Sequence, residues 1–130
     1  MNIYLAASFK QKQQMLKVRR DIQTHFGHFI TSRWILSASE NGMMDGDIRK
    51  DQSRALRGAV TDFEDIEMAD LVAVFTDVPS TSGGFYVELG YAIARRKRIA
   101  VIGPRPNVFF TWPSIKHYEF YSDFLKSLAE

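Results

Sequence analysis

The stretch that most constrains the fold of this chain runs from Asp70 to Lys97. Leu71 to Phe75 is an unbroken apolar run, partly β-branched, as expected of a strand covered on both faces in a parallel sheet. It gives way to Thr76-Asp77-Val78-Pro79 and then to a loop of small residues, Ser80-Thr81-Ser82-Gly83-Gly84. After the glycines the apolar period turns helical, with Phe85, Leu89, Ala92 and Ile93 on one face. Strand, Ser/Gly loop and helix start in that order form an anion site, because free backbone N–H groups and the helix dipole point into the loop. Glu88 stands early in the helix, so a carboxylate adjoins the anion cradle. That pairing reads as an active centre.

The flanking sequence alternates in the same way. Ile3 to Ala7 predicts a first buried strand, and Met15, Val18, Ile22 and Phe26 give a helix from about Lys10 to Phe26, ended by Gly27. Phe29 to Ile35 predicts a second strand with Arg33 and Trp34 near its end, and the polar stretch from Ser37 to Gly46 predicts a loop. From Ile48 to Met68 a helical pattern returns, with Leu56, Ala59, Val60, Phe63 and Ile66 apolar and Asp62 on the flank of that stripe. Ile99 to Ile102 predicts a fourth strand, closed by Gly103-Pro104-Arg105-Pro106. Asn107 to Phe110 predicts a short further strand, and Tyr121 to Ala129 a final helix. The expected fold is a single-domain α/β unit of the flavodoxin/Rossmann-like kind, a parallel sheet of about five strands with helices on both faces. Ligands of such sheets bind beyond the carboxyl ends of the strands, which places Ser8, Trp34, Ser82 and Glu88 on one rim.

Composition narrows the chemistry. A chain of 130 residues suits one domain. Its N-terminal apolar run is too short for a signal peptide, and no stretch is long enough to span a bilayer. A cytoplasmic setting is therefore expected. With no cysteine there are no disulfides or thiolate metal sites, and His25, His28 and His117 lack the spacing of a zinc site. Neither a metal nor a cofactor is expected. The formal charge is only +2, and the basic cluster Arg95-Arg96-Lys97-Arg98 falls at a helix C-terminus, where cations complement the dipole. Neither nucleic acid nor a membrane is expected as a partner. The loop from Ser80 to Gly84 matches neither GxGxxG nor a P-loop, which argues against dinucleotide and Walker-type binding.

Each candidate side chain has a plain structural role beside its chemical one. Glu88 is either an exposed acid near a helix N-terminus or a nucleophile. Tyr4, expected at the tip of the adjacent strand, either packs under a helix or orients the Glu88 carboxylate and keeps it ionised. Asp62 either pairs with Arg57, Arg54 or water, or serves a departing base as proton donor or hydrogen-bond partner. Ser8 and Lys10 supply a hydroxyl and a cation to the anion site, unless Ser8 merely caps a helix. Trp34 is core or the aromatic wall of a planar base.

Taken together, IYLAASF, the Asp62 to Asp70 spacing with ADLVAVF, and SGGFYVELGYAIA followed by KRIAVIG resemble the nucleoside 2-deoxyribosyltransferase family. That family includes the 2'-deoxynucleoside 5'-monophosphate N-glycosidases. The resemblance implies that Glu88 is a nucleophile attacking the anomeric carbon of a 2'-deoxyriboside, that Asp62 is the acid at the leaving base, and that Tyr4 holds the nucleophile. It implies a deoxynucleotide or deoxynucleoside as substrate. Water would then give hydrolysis, and a second base would give transfer. Where the nucleoside transferases carry an aspartate six residues before the nucleophile, this chain has Ser82, which admits a phosphate. Ser8, Lys10, Ser82 and Gly84 would surround it, Lys10 standing where those glycosidases have an arginine. Asn107 resembles instead an asparagine that the nucleoside transferases lend to a neighbouring subunit, which implies a homodimer or larger homo-oligomer. Tyr86 stands where a glycine is common and is expected to narrow the site. A non-catalytic nucleotide-binding module and a protein-interaction domain are the rival functions.

Overall fold

Leu71–Phe75 is the central strand, and all five of its residues are buried. The computed structural model describes residues 1–37, 42–80 and 82–129. Five strands, β1 (Asn2–Ala6), β2 (Phe29–Ile30), β3 (Leu71–Phe75), β4 (Arg98–Ile102) and β5 (Ile115–Tyr118), lie in the order β2-β1-β3-β4-β5. Every neighbouring pair is parallel, with Tyr4 opposite Val72, Val72 opposite Ile99, and Ile99 opposite Ile115. The chain leaves β1 toward β2 on one side, while β3 lies on the other. Such a reversal opens a crevice at the carboxyl ends of the two strands. Ala7–Phe9 and the loop after Phe75 border it.

The helices are α1 (Lys12–Phe26), α2 (Asp45–Lys50), α3 (Gln52–Met68), α4 (Gly84–Ala94) and α5 (Tyr121–Leu128). Tyr4 points to the face covered by α4, where its hydroxyl meets Glu88. Phe75 points the other way, its ring 6.2 Å from Phe124 and 6.1 Å from Tyr121 of α5. The Tyr121 hydroxyl donates to Asp21 of α1 at 3.2 Å, so α1 and α5 share that second face. No described helix is long and apolar enough to cross a membrane.

Four segments depart from the sequence expectation, three of them because of a local hydrogen bond. The second strand stops at Ile30, and Arg33–Leu36 forms a 3-10 turn. There Ser32 Oγ accepts the Leu5 N–H at 2.5 Å, and the buried Asp65 carboxylate accepts from the Arg33 backbone N–H at 2.9 Å. The ladder cannot continue once a side chain has taken the β1 donor. The helix expected from Ile48 to Met68 is two helices, split where the Asp51 carboxylate accepts the Arg54 N–H at 3.0 Å and caps α3. Residue Leu56 is 66% and Val60 45% exposed, so the apolar stripe of α3 is buried only toward Ile66. The expected loop from Ser37 to Gly46 already contains the start of α2, and its residues 38–41 lie outside the described residues. Finally, Asn107–Phe110 is not a strand. The Asn107 side-chain oxygen accepts the Phe109 N–H at 3.0 Å and starts a 3-10 turn over Val108–Thr111. The fifth strand lies further on, at Ile115–Tyr118.

Candidate active site

A cavity of about 220 Å³ opens at the crevice between β1 and β3. Ala7 and Phe9 follow β1, Ser80 and Ser82 come from the loop after β3, Gly84, Val87 and Glu88 from α4, and Ala59, Asp62 and Phe63 from α3. Trp34 closes one side. Its indole N–H donates to the Leu5 carbonyl at 2.8 Å, and its ring centre lies 5.2 Å from that of Phe9. The 3-10 turn that replaced the strand is what presents Trp34 to the cavity.

Tyr4 lies in the middle of β1 rather than at its tip, fully buried, and its hydroxyl donates to Glu88 Oε2. Burial raises the Glu88 carboxyl to about 8, the Asp62 charge adds to that, and the Tyr4 hydrogen bond works against both. The expectation that Tyr4 keeps Glu88 ionised is therefore corrected: its pull has the right sign but is outweighed. Asp62 is raised to about 6, first by burial and then by the charge of Asp65, with Arg33 lowering it. The Tyr4 phenol lies well above its ordinary range, first through burial and next through Glu88. The two cavity carboxyls therefore titrate as a pair. They hold two protons below about 6, one between about 6 and about 8, and none above.

Among the described residues Asp62 forms no ion pair with Arg54 or Arg57. The cation bearing on it, Arg33, is held by Asp65 at 2.8 Å. Sequence reading missed Asp65, whose importance depends on its register against Arg33 across the fold. It also missed Phe9, Phe63 and Val87, apolar residues that the helical and strand periods assign equally well to core.

The start of α4 is an open donor site. Gly83 has φ of 80°, and its N–H donates to Ser80 Oγ at 3.0 Å. The Gly84 and Phe85 N–H groups have no acceptor among the described residues. Gly84, Ser82 and Ser80 line the cavity; Ser8 and Lys10 do not. Ser8 is buried, and its Oγ accepts the Lys10 N–H at 3.3 Å, capping the 3-10 turn Phe9–Gln11, while Lys10 itself is exposed. Asn107 is exposed and lies outside the cavity of its own chain. The Tyr86 ring packs against Phe85 at 4.4 Å and Phe110 at 6.2 Å, so it does not narrow the cavity. Thr81 lies outside the described residues.

A second, larger cavity of about 660 Å³ adjoins the first. The two share Phe9, Trp34, Ala59, Asp62 and Ser82 as walls, so a ligand can extend from one into the other.

No protein-family model and no curated protein sequence matches the chain. Solved structures do. The CMP N-glycosidase BcmB of Clostridium botulinum is 19% identical with a TM-score of 0.56, covering 98% of both chains. A 2-deoxyribosyltransferase of Bacillus psychrosaccharolyticus is 17% identical with a TM-score of 0.65, covering 98% of this chain and 96% of that one. The fold is that of these N-glycosidase and deoxyribosyltransferase structures. A conserved protein of Enterococcus faecalis V583 shares it as well, at 15% identity and a TM-score of 0.54, over 99% of this chain and 86% of its own.

Proposed function

We propose that this chain is an enzyme of the nucleoside 2-deoxyribosyltransferase family that cleaves the N-glycosidic bond of 2'-deoxynucleoside 5'-monophosphates through a covalent Glu88 glycosyl-enzyme. The observation that carries the proposal is the Tyr4 hydroxyl donating to Glu88 at the wall of a cavity that Asp62 also lines. Between about pH 6 and about pH 8 the carboxyl pair holds one proton. By the order of the two values that proton rests mostly on Glu88, and the reacting form is the minor tautomer with the proton on Asp62, in which the Glu88 carboxylate attacks C1' and the C1'–N bond breaks. Its electron pair stays on the base, which takes the proton from Asp62. Water, deprotonated by Asp62, then attacks C1' from the opposite face and releases Glu88. Two displacements retain configuration, and the products are free base and 2-deoxyribose 5-phosphate.

The Gly84 and Phe85 amides, which have no acceptor among the described residues, suit a 5'-phosphate together with the hydroxyls of Ser80 and Ser82. The stretch from Ser80 to Gly84 carries no acidic residue, and the CMP N-glycosidase relative acts, by its name, on a monophosphate. Transfer to a second base is the alternative outcome, favoured by the volume adjoining Asp62. A homodimer in which Asn107 of one copy completes the site of the other belongs to the same proposal.

The test incubates the chain with deoxynucleosides and deoxynucleotides, with and without a second base. Base release from monophosphates is expected, with Glu88→Gln slowing turnover at least roughly 10³-fold while ligand affinity is retained. Binding without turnover in the wild-type chain would mark a non-catalytic module instead.

A further inference from the structure

The larger cavity carries charge that the glycosidic step does not use. Arg54 and Arg57 stand one turn apart on α3, and both line it. Arg33 is held by Asp65 and Glu64, and Arg49 by Asp45. The guanidinium groups of Arg54 and Arg57 have no such partner among the described residues, and the Asp51 carboxylate beside them is occupied with the Arg54 backbone N–H. The surrounding wall supplies apolar surface from Met43, Ile48 and Trp34. Acid and cation are thus arranged in sequence: Glu88 and Asp62 at the smaller cavity, then the two arginines beyond Asp62.

We propose that the larger cavity receives the departing base, and that Arg54 and Arg57 select N-glycosides whose base bears a negatively charged substituent such as a ring carboxylate. The inference rests on the glycosidase reading, since it places the sugar at Glu88 and the leaving nitrogen at Asp62. A ring that lies against Trp34 and continues past Asp62 enters the space that the arginines border. A carboxylate matches the forked donors of a guanidinium. The base also leaves with the C1'–N electron pair, so positive charge beyond Asp62 favours departure as well as binding.

The test compares kcat/KM for 5-carboxy-2'-deoxyuridine 5'-monophosphate with that for 2'-deoxyuridine 5'-monophosphate. Two exposed charge pairs of ordinary strength predict a preference of about tenfold for the carboxylated base in low salt, falling toward unity in about 0.5 M salt. Arg54→Ala with Arg57→Ala is expected to abolish the preference, and Arg54→Lys with Arg57→Lys to restore part of it. A wild-type ratio of one or below, or a ratio that the double alanine variant leaves unmoved, overturns the inference. Calorimetric binding of 5-carboxyuracil and uracil to Glu88→Gln chains, with and without the two arginines, reads the cavity without turnover. Charge-dependent binding without any hydrolysis overturns the glycosidase reading alone; hydrolysis without charge preference overturns this inference alone.

Discussion

At Glu88 two influences oppose each other. Burial and the Asp62 charge disfavour its ionised form, and the Tyr4 hydroxyl favours it. Under the proposed mechanism the reaction is confined to the singly protonated carboxyl pair, so kcat/KM is expected to be bell-shaped in pH, with limbs near 6 and near 8. Below the lower limb the proposed nucleophile, Glu88, is protonated; above the upper limb the proposed acid, Asp62, has no proton to give. Tyr4→Phe removes the one contact that lowers the Glu88 value, so the upper limb is expected to move to higher pH. The same change leaves less of the productive form, in which Asp62 holds the proton, and is expected to lower kcat about tenfold, the size of a hydrogen bond to a charged group. Pre-steady-state and steady-state pH profiles check both. Glu88, Asp62, Trp34, Ser82 and Gly84, which line one cavity, could be named from sequence because the helices α3 and α4 and the loop after β3 meet above β1, and Tyr4 reaches Glu88 from the middle of that strand. Ser8 and Lys10 could not be placed, because whether a hydroxyl faces a ligand or its own backbone two residues on is a matter of one rotamer. In this chain the Ser8 hydroxyl caps.

Elements long enough to show a period were legible: β1, β3 and β4, together with α1, α4 and α5. The misread segments are those where a single side-chain hydrogen bond overrides the period, at Ser32, Asp51 and Asn107. β5 escaped because its sequence, Ile115-Lys116-His117-Tyr118, has little apolar content and remains half-buried at the sheet edge. The turn after β4 shows how tightly the carboxyl rim is built. Gly103 has φ of 117°, and a Cβ there would stand 2.7 Å from Thr76 Oγ1 and 3.1 Å from the Asp77 nitrogen. Glycine is required on both counts. Gly103→Ala is expected to destabilise the fold by about 2 kcal/mol through backbone strain and displacement of the Thr76–Asp77 turn. Urea unfolding would read the loss.

For the molecule as a whole, two raised carboxyls make the proposed active centre a cost to stability at neutral pH. The folded chain holds more protons than the unfolded chain from the ordinary value of 4.5 for glutamate up to about 8. Stability is therefore expected to fall as pH rises through that window. Glu88→Gln removes the larger share, so it is expected to raise the melting temperature, more at pH 8 than at pH 5, by an amount equivalent to about 2 kcal/mol once the open cavity is allowed for. Differential scanning calorimetry at the two pH values decides it; a variant equally stable to wild type at both would mean the carboxyl is not strained. The role of Glu88 as nucleophile is tested most directly by peptide mass spectrometry of the chain, quenched in acid within the first turnover of a 2'-deoxynucleoside 5'-monophosphate. The expected result is a 2-deoxyribose 5-phosphate ester on the peptide containing Glu88, absent from Glu88→Gln. Base release with the ester on another residue, or undiminished release by Glu88→Gln, would contradict it.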